Sequence, residues 1–367
     1  VAELRRGGGA WRVEGFGGPR MDAAGVRLHA GLDRLAVMGV AEVARRAAWF
    51  WRFRRRVAEG WRRDPPDAVL FVDYPGLNLR LASDARRLGL RAAYYVTPTV
   101  WAWHESRIEV LRRLDERLVI LPFEERFYAA RGIPVRYVGH PLGREAAAPR
   151  DRRAFLESAG LDPGADLLGL LPGSRPQELE ALARTFLDAG RRVRAAAARP
   201  VQLAFAAATQ AMGERLRAIV ADAAPVVTGR TADLIAASTA VLTKAGTATV
   251  EAALLGTPMV VAYRMHPLSF WLARRLVKVE HAAMVNLLAG RRVAPELLGR
   301  DATPAALAER VLPLLDPESA ERREMLGAFD GIRRELVARD APAEVAEALR
   351  RLATAGAAAA ASASGAP

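Results

Sequence analysis

Cysteine is absent from this chain of 367 residues. That excludes a disulfide framework and a thiolate metal site, and it fits a reducing compartment. Lysine is almost absent: Lys244 and Lys278 are the lysines, and arginine supplies the rest of the 54 basic residues. The histidines, His29, His104, His140, His266 and His281, show neither H-x-x-x-H nor H-E-x-x-H spacing, which argues against zinc. Long apolar runs are missing as well. None approaches the roughly 20 residues needed to span a bilayer, and the first residues do not resemble a signal peptide. A soluble or peripheral protein is expected. There is no Walker A motif, and no G-x-G-x-x-G follows a candidate strand, so ATPase and NAD-dehydrogenase readings are weak.

What is present is positive charge. Against 41 acidic residues the basic ones leave a formal net charge of +13, which favours anionic partners. Arginine and alanine abundance partly reflects GC-rich codons, but the charge is physical. Nucleic acid, anionic lipid and phosphorylated substrate are all compatible with it. With 51% hydrophobic residues at this length, two domains are the natural expectation.

Short apolar runs alternate with helical stretches. Strands are expected at 12–16, 68–72, 92–96, 118–121, 135–138, 167–171, 201–206, 241–243 and 259–262. Runs without clean alternation suit strands buried on both faces of a parallel sheet, and the alternation with helices indicates a doubly wound α/β architecture. Composition breaks at 139–152. Residues 1–145 are expected as one domain, 146–352 as a second that includes the last helix, and 353–367 as a disordered Ala/Ser tail.

Several segments can carry chemistry. In LLGLLPGSRPQEL a buried strand ends at Pro172–Gly173, and Ser174 can cap the next helix, whose free N–H groups together with Arg175 would suit a diphosphate. An ordinary capped turn is the plain alternative. In AVLTKAGTATVEAALLGTP a strand passes through Lys244, Ala245 and Gly246 into a helix near Thr247, with Glu251 one turn in, placed for ribose hydroxyls or merely for the helix dipole. In VLFVDYPGLN, Asp73 falls at the carboxyl end of a buried strand, where open α/β sheets place ligands. It can act as a general base or cap the following helix. In YYVTPTVWAWHESR, Trp101 reads as core, while Trp103 and His104 suggest a sugar site. Over 40–63, Val43, Trp49, Phe50, Phe53, Val57 and Trp61 share one helical face. Arg45, Arg52, Arg54, Arg55 and Arg56 lie mostly elsewhere, and Trp51 falls among them. Such a helix can lie in a membrane interface or pack its aromatic face on a sheet.

These segments, in order and spacing, resemble lipid-A-disaccharide synthases. The likeness runs through GGPRM (17–21), LAVMGVAEV (35–43), VDYPGLNLRLA (72–82), YYVTPTVWAWHESRI (94–108) and LPFEERFY (121–128). It continues through VGHPL (138–142), LLPGSR (170–175), GTATVEAALLGTPMVVAYR (246–264), FWLARRLVKV (270–279) and NLLAGRRVAPELL (286–298). The resemblance implies a GT-B fold, two Rossmann-like doubly wound domains facing a cleft. It implies inverting transfer of a diacylglucosamine from UDP to diacylglucosamine 1-phosphate in lipid A synthesis. By the same resemblance Asp73 is the catalytic candidate, and Arg175, Glu251 and Asn286 belong to the nucleotide site, with Ser174, Gly246 and Thr247 in adjoining loops. Trp103 and His104 are the acceptor or sugar candidates.

The family opens with a strand and a Gly-Glu-Ala-Ser-Gly-Asp loop. This sequence has neither and is expected to start in the helix that follows. The family often has Ser where Lys244–Ala245–Gly246 runs in this chain. No D-x-D occurs, so neither metal nor other cofactor is expected. The expected partners are UDP-diacylglucosamine, diacylglucosamine 1-phosphate and an anionic membrane surface met through Trp49, Trp51, Phe53, Arg54 and Arg55, with no nucleic acid. The expected location is the cytoplasmic side of the inner membrane, peripherally bound. Rival readings are another GT-B UDP-GlcNAc transferase, a UDP-GlcNAc 2-epimerase, or an inactive relative that only binds membranes or polyanions.

Overall fold

The computed structural model describes residues 1–31, 47–264 and 279–364. The segments 35–43 and 270–278 and the first turns of the amphipathic stretch, including Val43 and Arg45, lie outside them. The chain divides into two compact units. Unit 1 comprises Val1–Pro141 and Arg339–Pro367, and unit 2 comprises Leu142–Ala338.

In unit 1, β1 (Glu14–Gly17) and β2 (Arg27–Gly31) form a parallel pair. The strands β3 (Val69–Val72), β4 (Ala92–Tyr95), β5 (Glu116–Val119) and β6 (Arg136–Tyr137) form a parallel sheet in that order. Ala92, Ala93 and Tyr94 of β4 are fully buried, as the lack of alternation predicts. The Pro75–Arg87 helix starts with proline at its first turn and buries Leu77, Leu81, Ala82 and Ala85.

The last helix corrects two expectations. Ala341–Ser364 belongs to unit 1 rather than to the second domain. Its Ala341, Val345 and Ala348 form an apolar cluster with Leu118 and Val138, and Arg351 pairs with Glu116 at 3.2 Å. The stretch from 353, expected to be disordered, continues as helix to Ser364. Alanine loses no side-chain entropy in a helix, and its high propensity outweighs the low complexity of the run.

Unit 2 holds a six-stranded parallel sheet. Its strands are β7 (Asp166–Leu171), β8 (Val201–Ala207), β9 (Val226–Thr228), β10 (Ala240–Lys244), β11 (Met259–Tyr263) and β12 (Glu296–Leu298), in spatial order β12-β11-β10-β7-β8-β9. The 21-residue Pro176–Ala196 helix buries Leu179, Leu182, Ala183, Phe186 and Val193 in the unit 2 core. Each large apolar side chain so buried contributes roughly 1.5–3 kcal/mol. The strand order reverses between β7 and β10, and open α/β sheets bind ligands beyond the carboxyl ends of the strands at such a reversal. Among the described residues no helix is long and apolar enough to cross a membrane.

Candidate active site

The turns after β7 and β10 are neighbours, because Leu171 and Thr243 are paired across the sheet. The first turn depends on Gly173. Its φ is 129°, and a Cβ there would stand 2.4 Å from Glu178 Oε2. The helix that follows is not capped by Ser174, contrary to expectation. Arg175 holds the cap position without a side-chain bond, Pro176 removes one free N–H, and Glu178 reaches back to accept from Ser174 N at 3.0 Å. Glu178 Oε1 also receives Lys244 Nζ at 3.0 Å and Arg175 Nη1 at 3.8 Å. Lys244 therefore turns inward beside Glu178, its Nζ 5.4 Å from the Tyr263 ring centroid. Glu178 was missed by sequence reasoning; its place on the third residue of the helix was the available signal.

In the second turn Gly246 is extended, and Thr249 Oγ1 donates to its carbonyl at 2.7 Å. Ser174 and Thr247 are exposed. Glu251 has no hydrogen bond or ion pair among the described residues. Burial raises its carboxyl above the usual range and Glu145 adds to this, while Arg150 opposes it. Asn286 is a correction. Its side chain is fully buried, Nδ2 donates to Ala294 O at 2.9 Å and Glu296 Oε1 at 2.6 Å, and Oδ1 accepts from Val293 N and Ala294 N. With its amide satisfied internally, it cannot touch a nucleotide directly in this conformation.

In unit 1, Asp73 and Tyr74 both take φ of 46° at the carboxyl end of β3. Asn78 Nδ2 and Tyr94 Oη donate to Asp73 O at 2.8 and 2.7 Å, and Asp73 N donates to Tyr95 O. These bonds fix the backbone and leave the carboxylate exposed, with no partner among the described residues. The capping alternative is overturned: Tyr74 occupies the cap position and no side-chain cap bond forms. Val96 and His104, beyond β4, also have positive φ. Left-handed non-glycine residues of this kind gather where surrounding structure enforces a functional geometry.

Trp103 is 45% exposed, its Nε1 donates to Thr99 Oγ1 at 3.3 Å, and its ring centroid lies 4.6 Å from that of exposed His104. Trp101 packs edge-on against Phe123 and donates to Glu124 Oε1 at 3.1 Å. Glu124 also accepts from the backbone of Ile120 and Leu121 and from Thr97. Burial pushes its carboxyl up to about 7 despite these donors. This residue was missed because its neighbours in sequence do not reveal its burial.

The five proposed membrane residues separate into two groups on the Ala47–Arg63 helix. Trp49 stacks on Phe53 at 5.1 Å, and Phe53 meets Phe16 at 4.7 Å, so both serve the unit 1 core. Arg54 forks onto buried Asp84, with Nη2 2.8 Å from Oδ1, and is a structural ion pair. These three assignments are corrected by packing. Trp51 is 61% exposed, and exposed Arg55 lies over its ring.

The family profile described as lipid-A-disaccharide synthetase matches residues 2–339. A lipid-A-disaccharide synthase of Anaeromyxobacter dehalogenans is 40% identical over 337 residues, covering 91% of this chain and 88% of that one. One of Azotobacter vinelandii is 41% identical over 345 residues, covering 92% and 90%. Among solved structures, the calicheamicin glycosyltransferase CalG4 superposes with a TM-score of 0.59 at 17% identity, covering 95% of this chain and 93% of that one. The UDP-GlcNAc 2-epimerase of Neisseria meningitidis, bound to UDP-GlcNAc, gives 0.54 at 10% identity, covering 90% and 86%. These structural likenesses bear on the fold, which is of the GT-B kind.

Proposed function

Because the chain belongs to the lipid-A-disaccharide synthetase family, we propose that it joins UDP-2,3-diacylglucosamine to 2,3-diacylglucosamine 1-phosphate. The products are UDP and the β-1′,6-linked disaccharide. The observation that carries this reading is the pair of turns after β7 and β10, adjacent at the strand-order reversal and furnished with Arg175, Lys244 and Glu251. Two helix N-termini and two cations suit a diphosphate leaving group. Ser174, Gly246 and Thr247 adjoin it, Glu251 is available to ribose hydroxyls, and Asn286 acts by holding the 293–296 segment in place.

Asp73 takes the proton of the acceptor's 6-hydroxyl as that oxygen attacks the anomeric carbon. The bond to UDP breaks with its electron pair on the β-phosphate oxygen, which Arg175 and the helix N-termini stabilise. Trp103 and His104 supply the surface for the acceptor sugar. Each buried CH₂ holds a lipid in the bilayer by about 0.8 kcal/mol, so the enzyme must go to its two-chain substrates. Trp51, Arg55 and the positive net charge support a peripheral position on the anionic cytoplasmic face of the inner membrane.

Product analysis with acylated and unacylated UDP-glucosamine tests this reading. Disaccharide should form from the acylated donor alone. Epimerisation of UDP-GlcNAc, or equal turnover of both donors, would overturn it. Asp73→Asn should lower kcat by about 10²–10⁴, the range for a general base, with UDP affinity unchanged. Near-wild-type turnover in that variant would move the base elsewhere.

A further inference from the structure

Arg107 is a cation that the reading above leaves without a task. It sits at the N-terminal boundary of the Ile108–Arg112 helix, half-buried, with its guanidinium 5.5 Å from the Trp103 ring centroid. Neighbouring Arg131 is occupied by Glu105 at 2.7 Å. Arg107 engages no acidic group and donates no side-chain hydrogen bond among the described residues. A guanidinium held on an aromatic face but left chemically unfilled is suited to an anionic ligand that is planar or forked in its acceptors.

Its position relates it to Asp73. The Tyr94 hydroxyl donates to the Asp73 carbonyl at 2.7 Å, and it feels both the Asp73 carboxylate and the Arg107 guanidinium. Both charges therefore act on one tyrosine hydroxyl, and they form no ion pair with each other. A pyranose carries its anomeric substituent and its C6 hydroxymethyl on the two carbons that flank the ring oxygen, so one ring can present both to groups that adjoin one tyrosine. Trp103 lies under the guanidinium, its indole exposed and fixed by Thr99, as a face on which a pyranose can stack.

Resting on the acceptor assignment made above, we propose that Arg107 binds the 1-phosphate of the acceptor sugar while Trp103 carries its ring. Arg107 thereby makes phosphorylated glucosamine the preferred acceptor. The pair is a specificity determinant on the acceptor side and takes no part in holding UDP.

The test compares detergent-solubilised 2,3-diacylglucosamine 1-phosphate with the same lipid lacking phosphate. Wild-type enzyme should favour the phosphorylated acceptor in kcat/KM. Arg107→Gln should raise its KM by about 10- to 100-fold, the usual loss for a charge-assisted contact. It should bring the two acceptors close to parity, with UDP affinity unchanged. Arg107→Lys should recover part of the selectivity, which a merely misfolded site would not. Trp103→Ala should weaken both acceptors alike. Undiminished selectivity for the phosphate in Arg107→Gln would overturn the subsite alone. Failure of the wild-type enzyme to use either acceptor would overturn the acceptor assignment and the subsite with it.

Discussion

Asp73 and Tyr74 stand in succession in the left-handed region, which costs each on the order of 1–3 kcal/mol. Asn78 and Tyr94 hold that conformation through one carbonyl, so the exposed carboxylate rests on a fixed backbone. At the proposed nucleotide site a carboxylate would compete with the ligand. Glu178 occupies Lys244 and the Ser174 N–H, the groups proposed to receive the diphosphate. Arg175→Ala should weaken UDP by about 10- to 100-fold. Glu178→Gln should tighten it about five-fold, since two like charges some 4 Å apart in water repel by roughly 1 kcal/mol. Titration calorimetry reads both, and an unchanged Kd for Arg175→Ala would sink the phosphate assignment. Sequence placed Asp73 and Arg175 at strand ends. It could not show that Ser174 makes no cap bond while its own N–H is taken by Glu178, or that Asn286 spends its amide internally. Both facts depend on residues that meet only after folding.

The Ala47–Arg63 helix has one function per face. Trp49, Phe53 and Trp61 turn toward the unit 1 core, whereas Trp51 and Arg55 are presented to solvent. Replacing Trp51 with Ser and Arg55 with Gln should reduce co-sedimentation with vesicles rich in anionic lipid, most clearly at low salt. Arg54→Gln should leave co-sedimentation alone and instead destabilise unit 1 by about 1–3 kcal/mol, because the buried Asp84 loses a donor. If the double variant sediments like wild type, the exposed face is not the membrane contact. Aromatic periodicity found this helix, but the division of labour among its arginines depended on Asp84, 30 residues away. Central strands such as β4 and β10 were legible as apolar runs. The strands β2, β9 and β12 were not foreseen. β2 alternates half-buried with exposed residues, and β9 and β12 are three-residue edge strands without fully apolar runs.

Across the molecule, two buried titratable groups of unit 1 oppose each other. Burial pulls His140 down to about 4, so unfolding lets it take up a proton, and stability falls as pH drops from 6.5 toward 4. Burial lifts Glu124 to about 7, so unfolding lets it lose one, and stability falls as pH rises from 4.5 toward 7. Between 4.5 and 6.5 the two slopes, each up to about 1.4 kcal/mol per pH unit, largely cancel. Relative to wild type, Glu124→Gln should gain stability more steeply with rising pH across that window. Urea unfolding at pH 5 and 6.5 measures this, and parallel pH dependence in the two proteins would refute it. The placement of the Ala341–Ser364 helix has a consequence for synthesis. Leu142–Ala338 leaves the ribosome whole while the earlier unit still lacks its closing helix. The unit begun first is thus finished last. Until residues past 338 emerge, Leu118 and Val138 lack their apolar cover, and a nascent chain stalled there would offer that patch to a chaperone.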